Sequence, residues 1–262
     1  MKKFFRFIKE TPVATDVILL IFSVSIIHLF YVLYVDPIST VELDLALSSG
    51  KVPSRTVWLV LKDFEQELCL ILALWCLLLL GARYKIRNDD NQLISLDFLS
   101  LSKKDSDLDT IQKSLEEAES LRLEGHILPG VRVYMDAFRL SGSPEHSKRE
   151  AIDFYNLTEE ALDARLNLVS YILWAIPSIG FLGTVRGIGQ ALADIDQALS
   201  GDIAGVALNL GIAFNSTFVA ILLSVFLTFV SMAMRGRETD RLVQCKTYIS
   251  ESLSKKLTTS SI

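Results

Sequence analysis

Apolar residues along this chain gather into four long stretches separated by polar, charged segments. The first, Val13 to Val35, carries only Asp16 and His28 as charged or protonatable interruptions. A helix needs about 20 apolar residues to cross about 30 Å of hydrocarbon, and this stretch meets that length. The second is shorter. Cys69 to Gly81 is strongly apolar, but Lys62, Asp63, Glu65 and Glu67 lie just before it. Its span is taken as Phe64 to Tyr84, with those charges near one interface. The third runs from Leu168 to Leu192, and the fourth from Ile203 to Met234, long enough to tilt or to project from the bilayer. The pattern predicts an all-α polytopic membrane protein with four transmembrane helices and a helical cytoplasmic region.

Between spans two and three, the segment 85–167 is too long for a simple connection. Leu108, Ile111, Leu115, Ala118 and Leu121 recur at helical spacing. A second helix is expected near Pro129, carrying Val131, Tyr134, Met135 and Phe138. Ser141-Gly142-Ser143-Pro144 is a breaker. Beyond it, Ala151, Phe154, Thr158, Ala161 and Leu162 suggest a helix that runs into span three. After span four, Leu242, Cys245, Ile249 and Leu253 mark an amphipathic tail. The plain reading of these stripes is helix packing, with the charges on solvated faces.

Charge then orients the chain. Lys2, Lys3, Arg6 and Lys9 precede span one, Arg83, Lys85 and Arg87 close span two, and Arg235 and Arg237 follow span four. The connection after span three has Asp194, Asp196 and Asp202 and no Lys or Arg. Positive residues favour the cytoplasmic side. The N-terminal segment 1–12, the region 85–167 and the tail 235–262 are therefore expected inside, and the loops 36–63 and 193–202 outside. Span one lacks a small-x-small cleavage site and reads as a retained anchor. A net charge of -5 argues against nucleic-acid binding by phosphate neutralisation. Cys69, Cys76 and Cys245 show no metal-ligand spacing, so free thiols are expected.

Candidate chemistry lies in spans three and four. Span three places Gly180, Gly183, Thr184 and Gly187 three and four residues apart, on one helical face. Pro177 removes one backbone hydrogen bond and frees a carbonyl. Span four carries Asn209, Ala213, Thr217, Ala220, Ser224 and Ser231 at spacings of three, four or seven. Close helix packing and a water- or ion-lined path both fit these two small, polar faces. No Asp or Glu occurs between Leu166 and Ala193, or between Ile203 and Arg237. A proton or cation path would need a carboxylate from elsewhere. The run GTVRGIG lacks the Gly-Lys-Ser/Thr ending of a phosphate loop and lies in an apolar span.

Two motifs carry a resemblance. Pro177-Ser178-Ile179-Gly180-Phe181-Leu182-Gly183-Thr184-Val185-Arg186-Gly187-Ile188 resembles the Pro-x-x-Gly-x-x-Gly-Thr-Val-x-Gly-Ile signature of the MotA/TolQ/ExbB proton-channel family. Ala213-Phe214-Asn215-Ser216-Thr217-Phe218-Val219-Ala220 is similar to that family's second signature on the following span. Four spans with a cytoplasmic insertion resemble the MotA branch. The pairing of Gly-Thr-Val with Asn-Ser-Thr is similar to the ZorA subunits of an antiphage defence system. Arg186 stands where the family has a bulky apolar residue; it either snorkels outward or repels or gates cations.

The resemblance implies a homopentamer in the bacterial inner membrane around a dimer of a single-span, MotB/ExbD-like protein carrying an intramembrane aspartate. Thr184 and Thr217 would face that aspartate, and Pro177, Gly180, Gly183 and Ala213 would shape the inner surface. Gly187, Asn209 and Ser224 join them on the polar faces of the candidate path. The translocated ion is taken as the proton, with sodium as the alternative, and no cofactor or covalent catalysis is expected. A cytoplasmic rotor or effector would bind the region 85–167, and lipids would surround the spans. His28 invites a proton-relay reading against a polar interhelical contact, and Asp16 is expected to be solvated. A non-conducting scaffold that recruits a partner through its cytoplasmic helices is the competing function.

Overall fold

A computed structural model describes residues 12–48, 56–83, 115–116, 125–199 and 203–253. The basic residues Lys2, Lys3, Arg6, Lys9, Lys85 and Arg87, the stripe 108–121 apart from Leu115, and Asp202 lie outside the described residues. All regular structure among the described residues is helical. Four of the helices are long and apolar enough to cross a membrane. The chain is an all-α, multi-pass membrane protein. It forms two compact units, one from Met1–Ala82 and Leu168–Ser231, the other from Arg83–Asn167 and Met232–Ile262.

In the first unit, span one begins as the helix Pro12–Phe30, passes through a π-helical turn at Tyr31–Val35, and continues as the helix Asp36–Ser48. The sequence reading ended this span at Val35 and placed a loop from residue 36; the chain instead stays helical to Ser48. Pro37 explains the π turn. Its ring lacks an N–H and crowds the preceding turn, and widening that turn by one residue keeps the helix unbroken. The Asp36 N–H bonds the Tyr31 carbonyl across the widened turn. Tyr31 is buried and donates its hydroxyl to the Leu61 carbonyl at 2.7 Å. A short helix, Val57–Leu61, is capped by Thr56, whose side chain accepts the Leu59 N–H at 3.3 Å.

Span two is the helix Phe64–Arg83. It is the inner member of the unit, burying Cys69, Ile71, Ala73, Cys76, Leu79 and Leu80. Span one leaves most of its large apolar residues exposed, as a lipid-facing helix does. Trp75 ties the two together by donating its indole N–H to the Asp16 carbonyl at 2.9 Å. Span three belongs to one 50-residue helix, Pro144–Ala193, and span four to the 45-residue helix Ala204–Tyr248. Each is about twice the length that a bilayer crossing requires.

The second unit has its own core. The helix Ile127–Ser141 starts close to the position expected and keeps Pro129 in its first turn, where a missing N–H costs nothing. It ends at Gly142, whose φ of 64° is open to glycine and strained for other residues. Ile127, Val131, Tyr134 and Met135 pack against Ala151 and Tyr155 and against Leu242, Cys245 and Ile249 of the tail helix. The expected tail stripe is thus core, apart from Leu253, whose side chain lies outside the described residues. Gly130 is required by this packing: a Cβ there would overlap the Tyr155 ring, whose hydroxyl donates to the His126 carbonyl at 3.1 Å. His126 in turn bonds Glu238 at 2.8 Å. That bond and the nearby Arg241 hold the Glu238 carboxyl below the usual carboxylate range.

Candidate functional site

The glycines of span three are there because span four leaves no room for a side chain. A Cβ on Gly187 would stand 2.7 Å from both the Ala213 nitrogen and the Asn209 carbonyl oxygen, so backbone meets backbone. On Gly183 it would meet Ser216 at 2.5 Å, and on Gly180 it would overlap the Ala220 Cβ. Ala213, Ala220 and Ser216 are the small residues that complete the seam from the other side, all buried. Small-against-small packing at three- and four-residue spacing brings the helix axes close enough for side chains to bond the opposite backbone.

Three hydroxyls do this. Thr184 donates to the Ala213 carbonyl of span four at 3.1 Å and lies 3.2 Å from the Gly180 carbonyl of its own helix. Thr217 lies 3.3 Å from the same Gly180 carbonyl, and the two threonine hydroxyls bond each other directly. Further along, Ser224 donates to the Leu173 carbonyl at 3.3 Å. Leu173 is four residues before Pro177, so its carbonyl is the one whose helical N–H is missing. The Pro177 position therefore acts through Ser224, and the helix runs on without a break.

The Thr pair stands at an edge. Both threonines are half-buried. Phe181 and Ile188 on span three, and Phe214 and Ile221 on span four, flank them and are exposed. Asn209 is elsewhere. Its amide donates to the Asp194 carboxylate at 2.7 Å, closing the hairpin between spans three and four.

Arg186 occupies the other side of span three. Two residues from Thr184, it is turned about 200° around the helix. Its Nε and Nη2 donate to the two oxygens of Glu65 at 2.7 and 2.8 Å, and Asp63 lies 3.6 Å away. This is a bidentate pair between spans two and three, with Glu65 buried and Arg186 partly exposed. The geometry gives Arg186 a partner within the chain that neither the snorkelling nor the gating reading supplied. His28 likewise meets Glu67 of span two, at 2.9 Å, so a carboxylate does face it across the helices.

Sequence reasoning missed Glu65 and Ser216. The signal for Glu65 was available: one lone arginine in span three and an acid in the first turn of span two are the charges that most need a partner at membrane depth. For Ser216, buried against Gly183, the signal was its place on span four, three residues after Ala213 and four before Ala220. Cys69 adds a weak contact, its thiol 3.7 Å from the Ile176 carbonyl.

The seam and its flanking helices resemble a known protein family. Residues 131–246 match the model of the MotA/TolQ/ExbB proton channel family. No curated protein and no solved structure matches the chain. Over residues 131–246, which hold both spans of the seam, this chain is similar to the MotA/TolQ/ExbB proton channel family.

Proposed function

We propose that the chain is the channel and stator subunit of an ion-driven motor in the bacterial inner membrane. Five copies surround two copies of a single-span partner of the MotB/ExbD kind, and proton flow past that partner's aspartate drives rotation or other mechanical work. Both termini are cytoplasmic in this reading. The observation that carries it is the Thr184/Thr217 pair, two hydroxyls on the half-buried edge of a glycine-tight seam, flanked by exposed apolar residues. Spans three and four carry no carboxylate, so the proton-binding group comes from the partner. The available energy is adequate, since one charge crossing 100 mV yields about 2.3 kcal/mol.

Native mass spectrometry of the tagged protein, purified from its own operon in mild detergent, tests the assembly. Five copies with two of a single-span, Asp-bearing protein is the expected result. A monomer or dimer that persists across mild detergents would sink the motor and favour the scaffold. Flux of protons into liposomes holding the complex, compared with sodium flux, then decides the ion.

A further inference from the structure

Glu65 stands in the corner where spans two, three and four meet. A Cβ on Gly183 would meet Ser216 of span four at 2.5 Å and the Glu65 Cγ of span two at 3.2 Å. The stem of the acid therefore lies against the glycine that makes the seam tight. Its carboxylate reaches on to Arg186, three residues further along the same side of span three. Both acids that face Arg186 are nearly buried, with the Glu65 and Asp63 side chains 11% and 10% exposed. Glu67, two residues on, points to another side of span two and ties His28 of span one instead.

The seam holds the roll of span three about its own axis only lightly. Gly180, Gly183 and Gly187 offer span four no side chain to catch on. On the open side, Phe181, Leu182, Val185 and Ile188 are exposed and apolar, and apolar contact has no direction. Directional contacts stand on two sides of the axis. On one, the Thr184 hydroxyl lies 3.1 Å from the Ala213 carbonyl oxygen and touches the Thr217 hydroxyl. On the other, about 200° round the helix, Arg186 holds Glu65. A roll that draws Arg186 away from Glu65 carries Thr184 the opposite way. With Cα atoms about 2.3 Å from the axis, a roll of about 20° moves each by about 0.8 Å, and side-chain ends further. The Thr184–Ala213 and Thr217–Gly180 contacts, at 3.1 and 3.3 Å, already exceed the usual O–H···O distance, so such a shift breaks them.

We propose that Glu65 is a positioning residue: with Arg186 it locks the roll of span three, and through that roll it holds Thr184 against Thr217 and the backbone of span four. Arg186 serves orientation in this arrangement, and it neither gates nor repels ions. A guanidinium bonded to both oxygens of one carboxylate fixes direction as well as distance, which an ammonium does not. The consequence for ion flux rests on the functional reading above, whereas the lock itself rests on the packing of spans two, three and four.

A thermal double-mutant cycle on the full chain, purified in mild detergent, tests the lock. Arg186→Gln and Thr217→Val change residues that touch no common group, so independent roles give Tm losses that add. The lock makes the double variant lose about two-thirds of that sum or less, because Arg186→Gln has already loosened the contacts that Thr217→Val removes. Glu65→Gln replaces Arg186→Gln, and Thr217→Ala replaces Thr217→Val, where either variant does not fold. Proton flux per assembled complex in liposomes is the second readout. Arg186→Gln, Glu65→Gln and Arg186→Lys are each expected to lower it about tenfold or more. Arg186→Lys keeps the charge and loses the planar fork, so flux at the wild-type level there overturns the lock in favour of a gate acting through charge. Tm losses that add overturn it as well, and both results leave the motor reading standing. A wild-type complex that carries no protons sinks the motor reading, and the Tm cycle alone then decides the lock.

Discussion

The Ser224 hydroxyl of span four donates to the Leu173 carbonyl of span three, the acceptor that Pro177 leaves without its helical N–H. A backbone defect in one helix is thus completed by a side chain of its neighbour. Ser224→Ala should destabilise the protein by about 1 kcal/mol, since a membrane-buried acceptor loses its donor. In a Pro177→Ala background the helix supplies its own N–H, and the same substitution should cost less than half as much. Thermal unfolding of the four proteins in detergent gives the cycle, and equal costs in both backgrounds would rule the relationship out.

The seam glycines are not equivalent. Gly187→Ala should cost about 1–3 kcal/mol, because the added methyl meets the backbone of span four and no rotamer relieves it. Gly189→Ala, two residues on, meets nothing within 4 Å and should be neutral or stabilising by up to about 1 kcal/mol. Melting temperatures of the two variants check this, and the contrast matters more than either value.

Glu65→Gln and Arg186→Gln should each destabilise by about 1–3 kcal/mol, less than breaking a fully buried pair costs, because Arg186 is partly exposed. Arg186→Lys should recover little, since an ammonium cannot bond both Glu65 oxygens from the guanidinium's planar fork. A double-mutant cycle measures the coupling. The doubly neutral variant should be more stable than the sum of the single losses predicts.

The second unit should lose stability in acid. The Glu238 carboxyl titrates below its ordinary value because His126 bonds its charged form. Its contribution is therefore complete above the ordinary carboxylate range, and it is lost as pH falls through the depressed native value. Glu238→Gln should remove that part of the acid sensitivity while lowering stability at neutral pH. Hydrogen exchange across residues 126–155 and 238–249, followed from pH 7 downward, distinguishes the two proteins.

Much of the chain was legible as a line of residues. Three apolar runs of bilayer length and a shorter fourth require helices, because backbone polar groups in hydrocarbon have no other partners. The breaker at Gly142, the helix starting near Pro129 and the tail stripe at Leu242, Cys245 and Ile249 followed from periodicity and turn chemistry, which act within a few residues. The spacing of Gly180, Gly183 and Gly187 against Ala213, Thr217 and Ala220 announced a close seam. How far the first helix continues past Val35 was not legible, because a π turn that absorbs a proline leaves no mark in hydropathy.

What the residues alone determined is which faces are small, polar or apolar, since that depends only on side-chain chemistry and helical pitch. Which polar group meets which was decided by tertiary packing. Arg186 could point to lipid headgroups, to the ion route or to span two, and only the position of Glu65 selects the last. Thr184 and Thr217 read as hydroxyls facing outward, yet the axis separation set by three glycines is what brings their protons onto the neighbouring backbone. Hydrogen bonds reach about 3 Å, so distances between helices, invisible along the chain, assign each donor its acceptor.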